Sequence, residues 1–198
     1  MAEINDAVVE EVLQDSQNLL LREVVTLIER EHPDATTTPG ITRETLMAYA
    51  QVFGEDTGFP TGPEEFRASI EDRLTASETW VDNDVLYELN DDRVSVYPSR
   101  WHDELSGEVD IPTFLEFLQD EGSGVEGDLN RGGAGGGIPE SELVEIVSVV
   151  GRTDRETVKE RIETLRDEGV LAEDADQHPD ARVQLRKRDD RRDPSLEP

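Results

Sequence analysis

Cysteine is absent from the 198 residues, and lysine occurs only at Lys159 and Lys187. The missing thiols exclude disulfides, thiolate nucleophiles and cysteine zinc sites. Aromatic residues are sparse, at 5%. No apolar run approaches the length of a membrane span, so no spanning helix and no membrane association are expected. The N-terminal stretch MAEINDAVVEEVLQ is acidic and lacks the apolar core of a secretion signal, which makes a cytoplasmic location the expectation.

What is abundant is negative charge: 48 acidic against 19 basic residues, a net charge of -29. Such charge often marks disorder, yet here the acids stand between regularly spaced apolar residues, the pattern of a solvated surface on a folded chain. Excess Asp and Glu, arginine in place of lysine and few large aromatics together resemble the proteome signature of extreme halophiles. On that resemblance the charge is an adaptation. An acidic surface that mimics nucleic acid or binds basic partners is the competing reading.

Local signals agree best between Pro139 and Lys187. In PESELVEIVSVV, Pro139 suits a first helical turn, Leu143, Ile146, Val147 and Val150 recur at helical spacing, and Gly151 ends the helix. Thr153 with Glu156 reads as a capping box for a second helix with the stripe Val158, Ile162 and Leu165, closed by a left-handed Gly169. GVLAED and ARVQLR then read as two strands flanking a polar loop, Ala175 to Asp180. This order resembles a winged helix-turn-helix domain, with that loop as the wing.

Upstream, Ile4, Val8 and Val12 mark one amphipathic helix, and Leu20, Val24, Leu27 and Ile28 mark a second that Pro33 ends. The first either packs on the second or serves as a dimerisation arm. Thr42 and Thr45 open a third helix, RETLMAYAQVF, closed by Gly54. Pro63 starts a fourth through EEFRASIEDRLTAS, with Phe66, Ile70 and Leu74 as its stripe. TWVDNDVLYELNDDRVSVYP reads as a hairpin turning at Asn90 to Asp92. Arg93-Val94 and Arg182-Val183 then fall at matching places in the two halves, a weak internal repeat.

The expected fold is therefore mainly α with short β-hairpins, an α+β protein of tandem winged helix-turn-helix domains. Residues 1–104 would hold the N-terminal helices and the first such domain, and 105–188 the second, opening with a short apolar helix from Ile111 to Gln119. A glycine-rich run at 122–137 is an internal loop or a linker, and 189–198 is a disordered tail. That run lacks GKS or GKT and any nearby lysine, which removes a phosphate-binding reading.

Catalysis has little support. His32, His102 and His178 lie far apart in expected surface loops without metal-site spacing, no serine sits in a nucleophile elbow, and no cofactor or metal is expected. Nucleic-acid binding rests on charge asymmetry. Eleven of the nineteen basic residues lie at 138–198, which carries -6 against -23 for 1–137. The winged-helix resemblance implies DNA contact by Arg152, Arg155 and Lys159 on the second helix of the turn and by Arg182 on the wing, and the basic residues Arg186, Lys187 and Arg188 beside it complete the expected contact set. A helical wheel complicates this, because Glu156, Glu160, Glu163 and Asp167 form the ridge opposite the core face. Trp80 and Trp101, flanking the first hairpin, read as packing residues. The leading expectation is a DNA-associated regulator with no enzymatic activity. The alternative is a tandem winged-helix scaffold for a chromosome-organisation or transcription complex, partnering another protein or a second copy through the N-terminal helices.

Overall fold

The computed structural model describes residues 4–14, 19–55, 61–120, 125, 137–173 and 181–186. The chain is α+β. In order its elements are α1 (Asp6–Gln14), α2 (Leu21–Glu31), β1 (Ile41–Thr42), α3 (Arg43–Glu55), α4 (Pro63–Glu71), β2 (Leu74–Thr75), β3 (Leu86–Leu89), β4 (Arg93–Ser95) and α5 (Ser99–Leu105). There follow α6 (Ile111–Gln119), β5 (Ile138–Pro139), α7 (Glu140–Val150), α8 (Arg155–Asp167), β6 (Leu171–Glu173) and β7 (Arg182–Leu185).

Two small sheets divide these elements into two units of like order. In the first, the strands lie β1-β4-β3-β2; in the second, β5-β7-β6. Ile41 pairs with Val94 and Thr42 with Arg93, while Ile138 pairs with Val183 and Pro139 with Arg182, all antiparallel. Aligning Ile41 with Ile138 also matches Leu46, Tyr49, Ala50 and Phe53 of α3 with Leu143, Ile146, Val147 and Val150 of α7, and all eight are buried. The matched arginines do matching work. Arg93 donates to the carbonyls of Thr38, Pro39 and Gly40 and to Asp34 Oδ2, and Arg182 donates to the carbonyl of Gly137 at 2.7 Å. Each guanidinium thus ties its hairpin to the backbone entering the first strand, where glycine takes a positive φ, 72° at Gly40 and 132° at Gly137.

Several boundaries differ from the sequence expectation for identifiable reasons. Pro139 is the residue before α7 and belongs to β5, with extended ψ, rather than to the first helical turn. The cap of α8 is Asp154, whose carboxylate accepts from the Thr157 amide at 2.8 Å and from its hydroxyl, and this displaces the expected Thr153 and Glu156 box. Gly54 lies inside α3, not after it. Leu74 leaves the α4 stripe because α4 ends at Glu71; Leu74 pairs instead in parallel with Leu86. The hairpin strand begins at Leu86, well after Thr79. Gly169 closes α8 as expected, with φ 73°, its amide on Arg166 and the Val170 amide on Leu165, the paired bonds of a Schellman motif. Thr42 opens α3 by accepting from the Thr45 amide at 3.1 Å. The expected wing and C-terminal tail lie outside the described residues, as does the glycine-rich run apart from Val125 and Gly137.

The units meet through α2, α5 and α7. Val8 and Val12 of α1 are buried where that helix packs on α2 and α3. Asn5 adds bonds to Tyr49 Oη and the Glu31 carbonyl. α2 has six consecutive buried residues, Val24 to Glu29, because it packs on α1 and on α7 at once. Trp101 of α5 stacks on Trp80 and on Tyr97, both at 5.4 Å, and meets Phe117 of α6 edge-on. Both tryptophans are therefore packing residues, and Arg22 lies 5.2 Å over the rings of Trp80 and Tyr97.

Candidate functional site

The α7–α8 turn is where sequence reasoning places the DNA contact, and its geometry is tightly specified. At Gly151 a Cβ would stand 2.4 Å from the Glu108 carbonyl oxygen and 2.6 Å from that of Val147, so only glycine fits. Arg152 follows in the left-handed region at φ 56°. That conformation is uncommon for a residue with a Cβ. Its guanidinium donates to the Thr37 carbonyl of the first unit at 3.0 Å.

The other expected contact residues separate into different settings. Arg155 is half-buried and lines clefts with Thr26, Leu27 and Arg30 of α2. Lys159 is exposed on α8. Arg182 is occupied by the Gly137 carbonyl. Arg186 is exposed, with its amide on the Val170 carbonyl, while Lys187 and Arg188 lie outside the described residues. Arg166, from the same shoulder of α8, is paired with Glu140. The ridge Glu156, Glu160, Glu163 and Asp167 is exposed, as the helical wheel indicates. The end of α8 that would approach a groove thus faces the first unit, and carboxylates cover its outer side.

The junction also holds a buried polar cluster that the sequence does not reveal. His32 and His102 are buried, against the expectation of surface loops, and His102 lies within α5. His178 lies outside the described residues. His32 Nδ1 is 3.2 Å from Tyr49 Oη. Glu29 Oε2 accepts from the Val96 amide at 3.0 Å, and its Oε1 lies 3.8 Å from His102 Nε2. The Ser95 hydroxyl stands 2.8 Å from the same His102 nitrogen and accepts from the Tyr97 amide.

Burial raises the Glu29 carboxyl to about 7, against smaller opposing effects of Ser95, the Val96 amide and Arg22. Burial lowers His102 to about 3, helped by the nearby Arg152. Both groups favour their neutral forms, which is what low-dielectric surroundings do to an acid and a base together. A helical segment with its apolar side inward gave no sign of this, because Glu29 stands among acids and His102 beside a carboxylate run. With both residues only 4% exposed, the cluster is closed to a substrate.

Among the described residues no group of three His, Asp or Glu side chains is placed to hold a metal ion, and no helix is long and apolar enough to cross a membrane. Neither family models nor curated proteins nor solved structures yield a match to the chain.

Proposed function

We propose that this protein is an adaptor made of two winged helix-turn-helix units, joining proteins within a chromosome-organisation or transcription complex rather than reading DNA through α8. The order helix, strand, helix, helix, strand, strand from α6 to β7, met again from α2 to β4 with β2 as an added edge strand, and the pairing of the first strand with the last in both, support the winged-helix assignment. The observation that carries the adaptor reading is the inward turn of the α8 N-terminus. Arg152 is held by the Thr37 carbonyl and Arg155 lies beside α2, so two of the three residues that would enter a major groove are committed to the inter-unit junction. Outside it stand Glu156, Glu160, Glu163 and Asp167, which repel phosphate.

Lys159 and Arg161 are the exposed cations of α8, and they decide between this reading and the DNA regulator. The test is crosslinking of the tagged protein to chromatin together with purification of its stable partners, for the parent and for a Lys159→Glu/Arg161→Glu double variant. Stoichiometric protein partners retained by the variant, without discrete DNA peaks, are expected. Promoter peaks present in the parent and lost in a folded double variant would overturn the adaptor and restore the regulator.

A further inference from the structure

The two units differ at one matched place. On α7 the face formed by Val144, Glu145 and Ser148 is covered: Val144 and Ser148 are buried, Glu145 and Ser148 share clefts with Thr26 and Arg30 of α2, and Tyr97 Oη donates to Glu145. On α3 the counterparts are Met47, Ala48 and Gln51. Among the described residues no helix lies across them, and with Leu46, Ile70, Arg67 and their neighbours they line an open groove of about 530 Å³ between α3 and α4. Met47, Ala48 and Gln51 recur at helical spacing on α3, as do Arg67 and Ile70 on α4, so each helix supplies one wall, with the buried Leu46 and Ile70 as apolar lining.

We propose that this groove docks an amphipathic helix of a partner protein, one bearing a carboxylate that meets Arg67; the inference rests on the adaptor reading and names the kind of partner. The chain itself shows what covers this face when it is covered, which is a helix, α2. Charge supports the carboxylate. The groove lining also holds the carboxylates Glu44 and Glu71 and Arg43, which is paired with Glu88 and Asp92, whereas the exposed Arg67 guanidinium has the Met47 thioether as its hydrogen-bond partner, at 3.4 Å, and forms no ion pair with a described residue, which leaves it to meet a partner's carboxylate. A second copy fits poorly. It brings the same net charge, and its exposed large apolar residues among those described, Leu20, Val81, Val109 and Val170, are scattered over four segments and offer no helix face.

Only two methionines occur, Met1 and Met47, so methyl-labelled methionine reports the groove with a single internal signal. The probe is a peptide copying Leu19–Glu31, whose Glu23, Thr26 and Arg30 edge is the one that lines the clefts against α7. Titrated into the full chain, it should shift the Met47 methyl signal saturably. Gln51→Arg, at an exposed position, and Ala48→Arg should abolish the shift, and Arg67→Glu should weaken binding at least tenfold. No saturable shift, or an equal shift in the folded Gln51→Arg variant, overturns the helix groove. A Met47 shift that follows protein concentration without peptide overturns the partner in favour of a second copy. DNA peaks dependent on Lys159 and Arg161 would instead defeat the adaptor reading, whatever Met47 does.

Discussion

Glu29 and His102 are 3.8 Å apart and both prefer to be uncharged, so the fold keeps the proton on the carboxyl rather than on the imidazole. Raising the Glu29 pKa from 4.5 to about 7 makes its contribution fully present below pH 4.5 and lost as pH rises through 7, on the order of 3 kcal/mol in all. Lowering His102 from 6.5 to about 3 works the other way, with stability present above 6.5 and lost as pH falls through 3. Between about 4.5 and 6.5 the two slopes cancel. Urea unfolding across this window should show Glu29→Gln gaining stability relative to the parent as pH rises, and His102→Gln losing it. Subtracting the parent curve removes the surface carboxylates. An ion pair at this place would reverse both slopes. Gly151→Ala, which drives a Cβ against two carbonyl oxygens, should cost about 1 to 3 kcal/mol by the same measurement; a neutral effect would mean the turn can open there.

The hairpin arginines set the expectation for elements. Arg93→Ala strips four partners, one of them a carboxylate, from a buried site, and should cost about 3 to 5 kcal/mol. A loss under about 1 kcal/mol would show that β1 is held by other contacts. The long helices were legible in the sequence, because Val158, Ile162 and Leu165, or Val24, Leu27 and Ile28, repeat at helical spacing and end at glycine or proline. The Arg-Val repeat was legible too. β1, β2 and β5 were not, since two residues carry no periodicity and their pairing is set from a distant strand. α5 was missed because SRWHDEL holds only Trp101 and Leu105 as an apolar pair. The basic residues could be counted, but the commitment of Arg152 to Thr37 depends on the docking of one unit on the other, which no local pattern records.

For the whole molecule the dominant quantity is the charge of -29. Carboxylates this dense repel across the surface, and the screening length falls from ~10 Å at 0.1 M salt to ~3 Å at 1 M. The midpoint of urea unfolding should therefore rise steadily with potassium chloride; a midpoint independent of salt would remove the halophile reading and favour mimicry of nucleic acid. The double duty of α2 bears on synthesis as well. Made at roughly 5 to 20 residues per second, the chain exposes α2 for about 6 to 24 seconds before α7 exists to cover it. The edge left waiting is Glu23, Thr26 and Arg30, while Val24, Val25 and Ile28 belong to a helix that α1 and α4, both made earlier than α7, already pack against. A polar waiting edge lets the nascent first half stay soluble on the ribosome until its own second half arrives to claim it.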